Sequence, residues 1–268
     1  MAVHSDIAER FLGLHRPGEP LLLPNPWDVG SARLLASLGF QALATTSSGY
    51  AATLGRLDGS VTAEEALEHA AAIVSATELP VSADLENLFA DSAQGVAETA
   101  RGAVAAGLAG FSIEDYSGDA IYETERATER VRAAVEVAHA GPAHVVVTAR
   151  AENHLHGRDD LDDTIARLQA YQEAGADVLY APGPISAQEI SAILSAVDRP
   201  VNVLARIGSP PVAELAQLGV SRISVGGSFA FVAIDALVSA AQELRNEGTY
   251  GYAERSGAGA RAARAAFG

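Results

Sequence analysis

Three acids open the chemical reading of this chain. Asp84, Glu86 and Glu114 each close a short apolar run, and Asp115 and Asn87 lie beside them. Residues two apart in an extended strand share a side, so Asp84 and Glu86 project together. Three converging carboxylates repel one another unless a cation lies between them. Oxygen-only ligands suit Mg²⁺, with Mn²⁺ as the alternative. Solvent or an arginine partner would satisfy the same acids, and a D-x-E pair alone is a weak motif.

The other candidates also sit at the ends of apolar runs. Arg150 follows Val145–Ala149 and can hold a carboxylate or phosphate in a bidentate grip, or form a buried ion pair with Glu114 or Glu152. Ser47, Ser48 and Gly49, in a turn that continues to Tyr50, offer hydroxyl and backbone donors to an anion, or ordinary turn chemistry. Asn202 can donate to a substrate carboxylate or satisfy backbone groups. Asp58 lies in the loop after the serines, and Tyr116 and Tyr122 in the loop after Glu114. His154 and His156 have a zinc-compatible spacing, but Gly157-Arg158-Asp159-Asp160 reads as a solvated loop.

Composition removes other chemistries. All 18 basic residues are arginine and there is no cysteine. Lysine Schiff bases, lysine-anchored pyridoxal phosphate, thiolate metal sites and cysteine nucleophiles are therefore excluded. A codon bias toward arginine explains the missing lysine without weakening the exclusion. Any carbanion or enolate must then be stabilised by a metal or by hydrogen bonds. The net charge of −16 disfavours nucleic acid, while a local arginine and metal cluster still accommodates a small anionic 2-oxo or 2-hydroxy acid. No apolar run is long enough for a membrane. Met1–Glu9 lacks a basic segment followed by an apolar stretch, so no signal peptide and a cytoplasmic location are expected.

The elements that must position these residues are legible as a period. Strands are predicted at Leu21–Asp28, Ala42–Gly49, Pro80–Asn87, Gly110–Asp115, His144–Asn153, Asp177–Gly183, Pro200–Ala205 and Ile223–Ser228, alternating with Ala-rich helices. Gly39, Gly107, Gly175 and Gly219 stand where helices end. Thr62 with Glu65, and Ser186 with Glu189, have the form of capping boxes. Eight βα units predict an α/β fold, a (β/α)8 TIM-type barrel forming one domain over residues 1–268, with working residues at the strands' C-terminal ends. An open doubly wound sheet is the competitor, but no GxGxxG follows the first strand. The tail from about residue 246 reads as an oligomer-packing helix or a mobile end.

PNPWDVGSARLLASLGF, TTSSGYAATLGRLDG, PVSADLEN, SIED, TAR and PVNVLA, in that order, resemble the isocitrate lyase/phosphoenolpyruvate mutase superfamily. The resemblance implies a Mg²⁺-dependent barrel whose substrates pass through a pyruvate-like enolate, in a homodimer or homotetramer that exchanges its last helices. It assigns Asp84, Glu86 and Glu114 to the metal, Ser48, Gly49 and Arg150 to the substrate's anionic group, Asp58 to a mobile loop near the reacting bond, and Asn202 to a substrate contact. The departures bear on the reaction. Tyr116–Tyr122 carries neither the lyases' Lys-Lys-Cys-Gly-His loop nor the mutases' gate lysines. Glu86 replaces a common Asp, and Ala181-Pro182-Gly183 lacks the lyases' acid. These features predict a Mg²⁺-dependent carbon–carbon lyase, a decarboxylation included, with Tyr116, Tyr122 or water as the acid. Phosphonopyruvate-type P–C chemistry and a non-catalytic metal-binding barrel are the alternatives.

Overall fold

Each short apolar run becomes a parallel strand and each Ala-rich stretch a helix. The computed structural model describes residues 2–184 and 186–268. The chain begins with α1 (Ala2–Gly13), β1 (Leu21–Leu23), α2 (Val29–Ser37) and β2 (Leu43–Ala44). Next come α3 (Ser47–Thr53), α4 (Ala63–Ser75), β3 (Val81–Ala83), α5 (Ala93–Ala105), β4 (Gly110–Glu114) and α6 (Thr124–Ala138). Then follow β5 (Val146–Arg150), α7 (Leu161–Glu173), β6 (Val178–Tyr180), α8 (Ala187–Ala196), β7 (Val201–Leu204) and α9 (Val212–Leu218). β8 (Arg222–Ser224), α10 (Ser228–Asn246) and α11 (Ala253–Phe267) complete it.

The strands run in the order β1-β8-β7-β6-β5-β4-β3-β2, all parallel. The seam between β1 and β2 is drawn together by the Ala44 N–H, which donates to the Pro24 carbonyl at 3.0 Å. Asn25 reinforces it from both sides. Its Nδ2 donates to Thr45 O at 2.9 Å, and its Oδ1 accepts from the Val225 and Gly226 N–H groups at 3.0 and 2.9 Å. The expected (β/α)8 barrel is therefore the observed fold.

Helix ends follow the sequence signals. Thr62/Glu65 and Ser186/Glu189 both form reciprocal capping boxes, and Gly39, Gly107, Gly175 and Gly219 all adopt positive φ, as a left-handed C-terminal cap requires. The strands are shorter than predicted. Asp28 leaves β1 to cap α2, and Ser47–Tyr50 begin α3 rather than end β2. β8 stops at Ser224, and Ser228 opens α10. At the ends of β1 and β2 the capping side chains of Asp28 and Thr46 win over continued strand, whereas α10 starts after Gly227 without a side-chain cap.

The lower end is sealed by α1. A Cβ on Gly110 would meet Val146 O at 2.8 Å and Phe11 Cε1 at 2.9 Å, so only glycine lets the buried Phe11 ring close against β4. At the opposite extreme, α10 buries only Ala230. No helix among the described residues is long and apolar enough to cross a membrane.

Candidate active site

Inward-facing positions of the upper barrel are polar, and they line one cavity of about 1020 Å³ at the strands' C-terminal ends. Arg150, the last residue of β5, stands at its centre. Its Nη1 lies 3.0 Å from Asp84 Oδ1 and 2.8 Å from Glu114 Oε1, and its Nε donates to Glu152 Oε1 at 2.7 Å. The ion pair anticipated for Arg150 with Glu114 or Glu152 forms with both, and Asp84 joins them. Burial opposes its charge, but Glu114, Glu152 and Asp84 outweigh that and hold it firmly protonated.

Asp84 follows β3 and is fixed from several directions. The Ser47 N–H and hydroxyl donate to its Oδ2 at 3.1 and 3.0 Å, Ser112 Oγ reaches Oδ1 at 3.4 Å, and its own N–H donates to Thr45 Oγ1 at 2.9 Å. Glu86 does not alternate with Asp84 along a strand, as the spacing predicted. Its φ is +49°, and Leu88 and Phe89 are also left-handed at +56° and +54°. Bulky residues in that region carry a conformational cost on the order of 1–3 kcal/mol each. The turn is held by Arg130 of α6, buried below it, which donates to the carbonyls of Asn87 (2.5 Å), Ala90 (2.9 Å) and Glu114 (3.1 Å).

The electrostatics leave an unmet demand for positive charge. Burial, then repulsion from Asp84 and Asp58, push the Glu86 carboxyl up to about 7. Burial raises Glu114 well above the ordinary range, with Arg150 only partly offsetting it. Desolvation also raises Asp58, at the rim, against a hydrogen bond with Ser47. Glu86 Oε1 is buried with no hydrogen-bond partner. Several acids around one guanidinium, one of them with an orphaned oxygen, have the oxygen-donor chemistry that a hard divalent cation takes.

The remaining predicted residues divide. Ser47, Ser48, Asp58, Tyr116 and Asn202 all line the cavity. Gly49 does not; it packs inside α3, where a Cβ would meet Thr46 Cγ2 at 2.6 Å and Trp27 Cβ at 3.0 Å, and its N–H turns to Thr46 Oγ1 at 3.4 Å. Tyr50 stacks on His69 with centroids 3.9 Å apart and lines a small adjoining pocket. Tyr116 lies at the mouth, stacked on His156 at 3.4 Å, and its hydroxyl donates to Gly118 O at 2.6 Å. The loop beyond it is tight, because Ser117 Oγ accepts from the Asp119 and Ala120 N–H groups and donates to Ala120 O. Tyr122 is instead buried, with its hydroxyl on Asp91.

Sequence reading passed over Arg222. It is buried on β8, lines the cavity and, among the described residues, donates to neutral acceptors: Asn202 Oδ1 at 2.9 Å, Thr148 Oγ1 at 3.1 Å and His15 Nε2 at 3.4 Å. Asn202 Nδ2 is thereby directed to Ser224 Oγ at 3.0 Å. The available signal was the alternation of Arg222 and Ser224 just ahead of a glycine pair.

A family profile described as phosphoenolpyruvate phosphomutase matches residues 11–245. A solved structure from Burkholderia cenocepacia, whose own activity is given only as lyase or mutase, is 51% identical with a TM-score of 0.92, over 95% of this chain and 93% of that one. Oxaloacetate decarboxylase of Pseudomonas paraeruginosa is 31% identical over 91% of this chain and 87% of its own. A structure of 2,3-dimethylmalate lyase has 26% identity and a TM-score of 0.81, covering 93% and 89%. The chain belongs to the phosphoenolpyruvate phosphomutase family and is an enzyme of the isocitrate lyase/PEP mutase type, with several carbon–carbon lyases among its relatives.

Proposed function

We propose that this protein is a Mg²⁺-dependent lyase that cleaves a carbon–carbon bond of a small 2-oxo or 2-hydroxy di-acid, with decarboxylation of an oxaloacetate-like acid as the leading form. The observation that carries the reading is the excess of carboxylates over guanidinium around Arg150, with the Glu86 oxygen unpartnered. Asp84, Glu86 and Glu114 hold Mg²⁺, or Mn²⁺ in its place. When bound, the cation supplies positive charge against the negative charge that builds on the substrate's oxygens as the bond opens.

The protein's own groups do the rest. Arg150, Ser47, Ser48 and Asn202 grip and orient the substrate's carboxylate end. The Ser47 hydroxyl and N–H both donate to Asp84, and Asp58 lines the same cavity beside them. Departing CO₂ takes no proton, and the electron pair of the broken bond stays on the organic fragment, which is then protonated at carbon. Tyr116, backed by the His156 ring, is placed at the mouth to pass that proton or to order a water that does. A homo-oligomer built on α10 completes the reading.

The experiment is incubation of the purified protein and Mg²⁺ with oxaloacetate, substituted malates and methylisocitrate, following 2-oxo-acid products. Metal-dependent product formation on at least one substrate is expected. No such product, with turnover of phosphonopyruvate seen by phosphorus NMR, would overturn the reading in favour of P–C chemistry. No turnover of any of these acids would favour a binding protein.

A further inference from the structure

The opposite face of the barrel carries a second group of ligating side chains. His139 caps the C-terminus of α6, His144 sits in the loop just before β5, and Asp177 immediately precedes β6. β5 separates this face from Arg150 by about 15 Å at ~3.3 Å per residue. His139 Nε2 is 3.0 Å from Asp177 Oδ2, and His144 Nε2 is 2.7 Å from Asp177 Oδ1. The three ligand atoms lie within 4.8 Å of one another. The two imidazoles are stacked, with centroids 3.8 Å apart and planes 26° from parallel, so both present the same nitrogen to one carboxylate.

The geometry points to a transition-metal site here, of the class that takes Zn²⁺, made by His139 Nε2, His144 Nε2 and an Asp177 oxygen, with a fourth position open to water. Two imidazole nitrogens and one carboxylate oxygen suit Zn²⁺, Ni²⁺ or Cu²⁺ and are a poor set for Mg²⁺. The carboxylate is aimed beforehand, because Asp177 Oδ2 also accepts the Val147 N–H at 2.9 Å, the kind of outer support that ligands of bound metals have. Access is available: the histidine side chains are 25% and 38% exposed, while Asp177 is 6% exposed.

Without an ion, each ring meets the carboxylate as an Nε2–H donor, one to each oxygen; one divalent ion would take both ring nitrogens and the acid together. Metal binding needs no proton beyond those on the rings. A neutral ring moves its hydrogen to Nδ1, and a protonated ring releases one proton to solvent. Because the three residues come from α6, the loop before β5 and the start of β6, an ion here ties together the end of the barrel where stability rather than catalysis is decided.

The test uses the full chain, freed of metal by chelation and resaturated with Mg²⁺ so that the upper site is occupied. Zn²⁺ is titrated calorimetrically, Co²⁺ is followed by its visible absorption, and Tm is recorded. One Zn²⁺ per chain, an intense tetrahedral-type Co²⁺ spectrum and a Tm rise of several degrees are expected. His144→Phe keeps the ring stack and removes one ligand, and His139→Gln removes another; each should weaken Zn²⁺ binding ~100-fold, while Asp84→Asn should leave it intact. Absence of Zn²⁺ binding in the Mg²⁺-saturated protein, or binding that survives His144→Phe but is lost in Asp84→Asn, overturns the proposal.

Discussion

Arg150 Nη1 stands 3.0 Å from Asp84 Oδ1, so the acid assigned to the divalent cation is also a counter-ion of the arginine assigned to the substrate. Asp84 is fixed by Ser47 and faces both partners. Asp84→Asn keeps the Ser47 contacts but removes the charge. It should abolish Mg²⁺-dependent thermal stabilisation and lower oxaloacetate turnover by at least ~100-fold. A turnover within a few-fold of the parent would remove Asp84 from the metal site.

Glu86 gives the metal-free protein a pH dependence of definite sign. Its folded pKa, about 7, lies above its ordinary value of 4.5, so the folded chain holds the extra proton. This contribution to stability is complete below pH 4.5 and is lost as pH rises through about 7. Mg²⁺ competes for the same oxygens, so its apparent affinity should fall at least about tenfold per unit as pH drops below 7. Calorimetric titrations at pH 6, 7 and 8 check this; equal affinities at pH 6 and 7 would show that Glu86 is not a ligand.

Arg130 supports Glu86 from beneath without touching the cavity. Removing it leaves the carbonyls of Asn87, Ala90 and Glu114 without their donor and frees a turn whose left-handed residues are conformationally unfavourable. Arg130→Met should cost about 2–4 kcal/mol of stability and weaken Mg²⁺ binding more than oxalate binding. Denaturant melts and metal titrations separate these effects, and unchanged metal affinity would reduce Arg130 to a packing role.

Much of the barrel was legible because its signals are local. Gly39, Gly107, Gly175 and Gly219 end helices, and Thr62 and Ser186 start them, each through contacts within one turn. Asp84, Glu114 and Arg150 were legible because strand ends in a closed barrel converge whatever the loops do. The rest depends on contacts between distant residues. Gly49 and Tyr50 leave the cavity because Thr46 caps a helix at that point. The backbone at Glu86 turns left-handed under a clamp that lies on α6. Arg222 gains meaning only from Thr148 on β5, Asn202 on β7 and His15 in the loop after α1.

His15 and Arg222 form a second acid-sensitive contact. His15 Nδ1 faces the Phe11 carbonyl at 2.9 Å, leaving Nε2 to accept from Arg222. Burial, with the Arg222 charge beside it, lowers the His15 pKa to about 3. The unfolded chain therefore binds the proton first. The contribution is present above pH 6.5 and lost as pH falls, about 2 kcal/mol of it between pH 6.5 and 5. His15→Gln keeps an acceptor for Arg222 and should flatten that stretch of the stability curve. Parallel curves for the two proteins would show that His15 does not set it.

The exposed surface of α10 predicts the assembly. Phe231, Val232, Ile234, Leu237 and Val238 are 51%, 67%, 40%, 69% and 46% exposed. At 3.6 residues per turn they point in several directions around the helix rather than along one stripe. A helix that is apolar on most sides is stable when enclosed, and its own barrel buries only Ala230. The helix is about 28 Å long at 1.5 Å per residue, enough to lie across a second subunit. α10 should therefore be buried against another copy, with exchange of the last helices as the expected form. Light scattering should show a dimer or tetramer at micromolar concentration, and Val232→Glu with Leu237→Glu should shift it toward monomer with a fall in Tm. A parent protein that is monomeric at tens of micromolar would leave α10 without an enclosing partner of its own kind.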